Sequence, residues 1–322
     1  HQLISGMDFS PVLTILGPTA SGKTTLAIAI AKRLNGEIIG LDSRQIYTGM
    51  AIGTAQPTLE EQDGIPHHLI GFRSPTESIS AGEYARLVRL CMDDIQDRKK
   101  EPIICGGAGL YFRALTQGIF AGSVSDLETR HKIDREYDEI GCGALLKRLQ
   151  KIDPQYAEIT HPNNRKRLVR ALEIYELTGM TPTQHFKDQK QGESPILKTF
   201  SVYLSSDLNY LEKRIRKRTI TMLDHGWIEE VSSLLKTYPN VNTSAINSIG
   251  YRQIRQFLES NLTKNELVDE IVLRTRQFAR RQNQWFKKEP IDLVIDTNKS
   301  PELDEVVIDI VQNYSKVNAK MK

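Results

Sequence analysis

Residues 12–16, VLTIL, form an uninterrupted apolar run of strand length. After the glycine- and hydroxyl-rich stretch GPTASGKT the pattern changes to TLAIAIAKRL, whose length and strong helix formers predict a helix. Gly36 stands where a C-terminal cap belongs, and EIIGL (37–41) is the next apolar run. Strand, helix and strand at this spacing make a βαβ unit, hence a parallel sheet with a right-handed crossover. A Gly-, Pro- and Thr-containing loop region runs from about 48 to 80. The pattern then predicts a helix over 81–98, a buried strand at PIICGG (102–107) and a further helix at LYFRALTQG.

From about 121 to 197 the chain turns polar, basic and helical in pattern, without clear strands. KTFSVYL (198–204) resumes a strand, and helical patterns cover 208–236 and 264–288. The fold class is α/β: a parallel sheet flanked by helices, with an inserted helical domain. The expected boundaries are 7–120 and 198–322 for the core and 121–197 for the insertion. Met7 is read as the natural start, and the residues before it carry no argument.

Composition narrows the class. The chain has 322 residues, 39% hydrophobic and 26% charged, which suits a globular fold with one large domain or a domain carrying an insertion. No stretch approaches the roughly 20 apolar residues of a membrane span, and no secretory signal opens the chain. Cys91, Cys105 and Cys142 are odd in number and form no CxxC pair, which argues against a disulfide framework or a zinc site and for a reducing cytoplasm.

Gly17, Pro18, Thr19, Ala20, Ser21, Gly22, Lys23 and Thr24 match G-x-x-x-x-G-K-[ST], the nucleotide- and ATP-binding phosphate loop. Glycines let backbone N–H groups turn toward phosphate oxygens. The helix N-terminus adds its dipole, Lys23 brings a charge, and the Thr24 hydroxyl can hold Mg²⁺. The motif follows a strand and opens a helix, as this chemistry needs. Asp42 ends the second strand, where open α/β sheets bind ligands. It can hold Mg²⁺, take a proton from a nucleophile, or cap a turn. Ser43, Arg44 and Gln45 beside it make a polar cluster, and a glutamine amide can read an adenine edge.

Two weaker signals follow. Gly106-Gly107-Ala108-Gly109 after a strand suggests close backbone approach to a ligand, or equally a tight turn. The adjacent His67 and His68 point to opposite faces of a strand, so one buried and one exposed histidine is expected rather than a metal site.

The net charge of +3 says less than its distribution. Arg165, Lys166, Arg167 and Arg170 cluster on one helix, with Asn163 or Asn164 as its N-cap. Lys213, Arg214, Arg216, Lys217 and Arg218 cluster on a second. RTRQFARRQNQWFKK forms a third, where Ile271, Phe278 and Trp285 share one stripe and Arg276, Arg280, Asn283 and Lys287 another. One such run is an ordinary solvated face. Three suggest a polyanionic partner.

Together these pieces resemble the tRNA dimethylallyltransferases, also called tRNA isopentenyltransferases, over nearly the whole chain. The shared signatures are GPTASGKT, DSRQIY (42–47), IGTAQP (52–57), GIPHHLI (64–70), GGAGLY (106–111), NRKRLVRALE (164–173), Gly226-Trp227 with Glu230-Val231, IGYRQ (249–253) and RRQNQWF (280–286). Ala108, Gly71 and Leu208 depart from the family pattern, which usually has Thr, Asp and Arg there. The eukaryotic zinc-finger extension is absent, which points to the bacterial type.

The resemblance implies a P-loop-kinase-like core, dimethylallyl diphosphate and Mg²⁺ at the phosphate loop, and alkylation at N6 of the tRNA adenosine 3′ of the anticodon. It implies that Asp42, Thr24 and Arg218 are catalytic, with Asp42 as general base, and that Lys23, Thr24 and Arg218 clamp diphosphate. It implies tRNA contacts at Asp42, Ser43, Arg44, Gln45, Lys166, Arg167, Leu168, Val169, Arg170, Gly250, Tyr251, Arg252, Arg280, Arg281, Gln282 and Trp285. The expected partners are tRNA and dimethylallyl diphosphate, with no membrane, in a cytoplasmic monomer. A free-nucleotide (AMP or ATP) isopentenyltransferase and a P-loop small-molecule kinase are the alternatives. Neither needs three basic helices.

Overall fold

A computed structural model describes residues 10–118, 125–190, 196–241 and 243–320. Met7, and parts of the expected domain borders near 121 and 197, lie outside the described residues.

Strands β1 (Val12–Leu16), β2 (Gly36–Leu41), β3 (His67–His68), β4 (Glu101–Gly106), β5 (Thr199–Ser205) and β6 (Leu293–Asp296) make one sheet of order β3-β2-β4-β1-β5-β6. Every pairing is parallel. β1 and β2 are buried throughout, which explains why both read as unbroken apolar runs. Helix α1 (Lys23–Leu34) lays Ala27, Ile30 and Ala31 on Leu13 and Ile15. The C-terminal helix, Leu303–Ala319, adds Val307, Ile310 and Tyr314 to the same core.

The chain divides into two compact units. The first holds the chain up to Ser78, Leu87–Gly109 and everything from Lys198 on, and contains the whole sheet. The second holds Ile79–Arg86 and Leu110–Leu197. Its start at Leu110 and its earlier segment differ from an insertion beginning at 121. Three of its helices, Leu127–Ile140, Cys142–Ile152 and Arg165–Thr178, bury Ile133, Leu145, Leu149, Leu168 and Leu172 together. Asn164 caps the last of these, its side-chain oxygen accepting the Arg167 N–H at 3.2 Å.

Several local expectations are corrected. The cap of α1 is Asn35, in the left-handed region at φ 52°, and Gly36 already belongs to β2. A Cβ on Gly36 would lie 2.7 Å from the Glu101 carbonyl oxygen, so the glycine serves strand pairing. The pattern over 208–236 is two helices, Leu208–Asp224 and Trp227–Thr237, broken at Gly226 with φ +103°. β6 and the helix after it were not expected at all.

The histidine pair is neither buried nor exposed. His68 joins Arg98 on the buried Glu37, at 2.8 Å from Nε2, while His67 bonds the Ile65 carbonyl. The Arg98 guanidinium, with help from His68, pulls the Glu37 carboxyl down to about 2 against the opposing effect of burial.

Candidate active site

β1 ends at Leu16 and α1 begins at Lys23, so residues 17–22 form the connecting loop. Gly22 has φ +91°, which its lack of a side chain permits. Lys23 reaches back to donate to the Pro18 carbonyl at 2.8 Å. Burial draws its ammonium down to about 8, with Cys105 and Asp42 pulling the other way. The Ser21 hydroxyl is buried in the loop with no hydrogen-bond partner among the described residues.

Two helices hold this loop from outside. From α2 (Leu208–Asp224), Arg214 donates to the Ala20 carbonyl at 2.7 Å and Arg218 to the Thr19 hydroxyl at 2.6 Å. Burial, and then the neighbouring Arg44, lower the Arg218 guanidinium to about 10. From α3 (Lys264–Phe286), Gln282 takes the Thr19 N–H on Oε1 at 2.9 Å.

The loop forms one wall of a cavity of about 520 Å³. Lys23, Arg44, Arg214, Lys217 and Arg218 line it, against the two carboxylates of Asp42 and Glu61. That excess of positive charge suits a polyanion such as a diphosphate. Sequence reading found Lys23 and Arg218 for this role but missed Arg214 and Lys217. The four-residue spacing of Arg214 from Arg218 along α2 was the available signal for Arg214.

Another wall is the face of β2. Ile38, Gly40 and Asp42 alternate along it, Cys105 pairs with Gly40, and His67 pairs with Ile38. Ile70 and Pro57 add apolar lining. Cys105 is no nucleophile at neutral pH, since burial raises its thiol to about 11.

Asp42 lines the same cavity. Its Oδ1 accepts the backbone N–H groups of Arg44 at 2.7 Å and Gln45 at 2.9 Å. The turn-capping and chemical readings therefore both apply: one oxygen closes the turn and Oδ2 is left for a proton or a cation. Thr24 brings its hydroxyl to the same cavity. No group of three or more His, Cys, Asp or Glu placed to cage a metal occurs among the described residues. A cation here would take most ligands from phosphate oxygens and water, which is how Mg²⁺ is ordinarily held. The donor set fits it.

The polar cluster after Asp42 is built differently from its sequence reading. Gln45 gives its amide N–H groups to the carbonyls of Thr54 and Ala55, at 3.0 and 2.9 Å, so that NH₂ is not free to read a base. The 50–55 turn is fixed in turn by Glu230, which accepts from the N–H of Ile52 at 2.8 Å, the N–H of Gly53 at 3.2 Å and the Tyr251 hydroxyl. Sequence reasoning assigned Glu230 no role. Arg44 lies over the Phe278 ring at 5.0 Å, and both line the cavity.

The remaining expected contacts divide. Lys166, Arg167, Arg252, Arg280, Arg281 and Ser43 are exposed. The side chains of Leu168, Val169 and Tyr251 are buried, so they serve packing and not a nucleic-acid surface. Gly250 is buried as well, its missing Cβ making room for the Trp227 ring. Gln282 is only 9% exposed and points inward. Trp285 is half-buried, its ring seated where a Cβ on Gly109 would be. Gly107 and Gly109 thus admit protein, namely α3, while Gly106 lines the cavity.

The basic clusters are partly neutralised. Arg165 pairs with Asp134 and Asp138, Arg170 with the fully buried Glu173, and Arg216 with Asp269.

Comparison with known proteins is consistent with this geometry. Residues 45–289 match the family model for IPP transferase. A tRNA dimethylallyltransferase of Oceanobacillus iheyensis is 42% identical over 278 residues, covering 86% of this chain and 88% of the relative. One of Desulfosudis oleivorans is 37% identical and covers 95% of this chain and 97% of the relative. Among solved structures, the tRNA isopentenylpyrophosphate transferase of Bacillus halodurans matches with TM-score 0.68 and 33% identity, over 97% of this chain and 99% of that one. A eukaryotic dimethylallyltransferase captured acting on tRNA matches with TM-score 0.65 and 29% identity, over 89% of this chain and 74% of that one.

Proposed function

This chain belongs to the IPP transferase family, and from that premise we propose that it moves the dimethylallyl group of dimethylallyl diphosphate onto N6 of the tRNA adenosine 3′ of the anticodon. The observation that carries the reading is one cavity holding a cationic phosphate loop, a carboxylate with one uncommitted oxygen, and an apolar stretch of β2.

Adenine N6 is a poor nucleophile, because its lone pair is delocalised into the ring. The carbon it attacks must be activated by its leaving group. Lys23, Arg214, Lys217 and Arg218 stabilise the diphosphate as negative charge develops on it. Thr24 would hold Mg²⁺, which supplies further neutralisation of that charge when bound. Ile38, Gly40, Pro57 and Ile70 take the dimethylallyl tail. The N6 lone pair forms the new C–N bond as the allylic C–O bond breaks and its electron pair leaves with diphosphate. The N6 proton passes to Asp42 Oδ2.

The target base must leave its stack to reach this site, at a cost of a few kcal/mol. Arg44 and Phe278 offer it a stacking edge. Lys166, Arg167, Arg252, Arg280 and Arg281, all exposed, contact the tRNA backbone. The monomer is the proposed working unit. No described helix is long and apolar enough to cross a membrane. The described cysteines are free, which fits the cytoplasm.

Product inhibition tests the site assignment. Inorganic diphosphate is expected to compete with dimethylallyl diphosphate, raising its KM and leaving kcat unchanged at saturating donor. Inhibition that saturating donor does not relieve would place the diphosphate group elsewhere.

A further inference from the structure

Gln282 lies in the RRQNQWF stretch, where the family resemblance implied a tRNA contact. α3 places it otherwise. Phe278, Gln282 and Trp285, spaced four and three residues apart, share one face toward the sheet end, while Arg280 and Arg281 are exposed. Both ends of the Gln282 amide are used internally. Oε1 accepts the Thr19 N–H at 2.9 Å, and Nε2 donates to the Gly107 carbonyl at 3.1 Å. Residues 19 and 107 belong to the loops that follow the neighbouring strands β1 and β4.

The packing around this amide is close. A Cβ on Gly107 would lie 2.6 Å from Gln282 Nε2 and 2.7 Å from the Gly17 carbonyl, so glycine is required at that position for the amide to sit there. Thr19 is held twice, at its N–H by Gln282 and at its hydroxyl by Arg218. A loop built to point several N–H groups at one anion has few internal hydrogen bonds of its own. Without an external tie it spreads over conformers, and affinity falls by the fraction lost from the competent one.

We infer that Gln282 is a positioning residue for the diphosphate loop, an amide strut that preforms the phosphate-binding backbone rather than a contact to tRNA. The inference rests on the proposed diphosphate site. Only a side chain with a donor and an acceptor on one planar group serves both loops. Methionine matches the size of glutamine and offers neither, and asparagine keeps the amide one methylene short of both loops.

The test measures the full-length protein and Gln282→Met by calorimetry with inorganic diphosphate and Mg²⁺, by filter binding with unmodified tRNA, and by hydrogen exchange of the phosphate-loop segment. Loss of two buried neutral hydrogen bonds predicts diphosphate binding weaker by about 10- to 100-fold. Loop exchange should be faster by about the same factor, with tRNA affinity within about twofold of the parent. Diphosphate affinity unchanged with tRNA affinity reduced would overturn the inference and return Gln282 to the RNA surface. A parent protein that binds no diphosphate would remove the proposed site itself, and the strut with it. If the melting temperature shows that Gln282→Met does not fold, Gln282→Asn takes its place in the same measurements, with weaker diphosphate binding supporting the strut and weaker tRNA binding alone overturning it.

Discussion

Replacing Asp42 with alanine is expected to lower the single-turnover rate of prenyl transfer by about 10²- to 10⁴-fold, the usual worth of general-base help. The geometry makes the choice of control important. Oδ1 of Asp42 closes a turn through the N–H groups of Arg44 and Gln45, so alanine removes both a base and a turn. Asparagine keeps an acceptor for the turn but cannot take the N6 proton. Asp42→Asn should therefore lose nearly as much rate as Asp42→Ala, with affinity for inorganic diphosphate and Mg²⁺ close to the parent's. Full activity in Asp42→Asn with loss only in Asp42→Ala would make the turn, and not the carboxylate, the essential feature. A loss below about threefold in both would remove Asp42 from the chemistry.

Lys23→Met is expected to lower kcat/KM for dimethylallyl diphosphate by about 10²- to 10³-fold, in line with removal of one preorganised charge from where the leaving group's charge develops. Lys23 is tied to Pro18 at the base of the loop, and burial has already made its charged form costly. An arriving diphosphate repays that cost by offering a counter-charge. Four other cations share the cavity, which sets the upper limit of the loss. Lys23→Arg should not rescue, because a planar fork does not fit where a compact ammonium reaches the Pro18 carbonyl. Affinity for tRNA alone should stay within about twofold. A similar loss for both substrates would show that the variant had disturbed the loop rather than the diphosphate contact.

The sequence made the catalytic frame legible because its signals are local. VLTIL, the phosphate loop, α1 and EIIGL follow one another, and Asp42 falls at the end of a strand whose burial its own residues announce. The Asn164 cap is three residues from the N–H it serves. What was misread depended on partners distant in the chain. Gln282 meets Thr19 across 263 positions, and Gly107 and Gly109 gave no sign that their neighbours, Gln282 and Trp285, lie on a late helix, while Gly106 does line the cavity. The basic runs looked like uniform charge because Asp134, Asp138, Glu173 and Asp269, which neutralise parts of them, do not interrupt the runs themselves. Lys217 carried no signal of its own until α2 was seen to lie along the cavity. Short β6, with only four residues, was too brief for its alternation to register.

The most direct test of the whole account is to incubate the protein with Mg²⁺, labelled dimethylallyl diphosphate, unmodified tRNA and AMP together, and to locate the label by nucleoside mass analysis. Label is expected on N6 of one adenosine beside the anticodon, with AMP untouched and diphosphate released in equal amount. Label on AMP with none in tRNA would contradict it, leaving the phosphate loop and Asp42 correctly read and the exposed basic helices without their assigned partner.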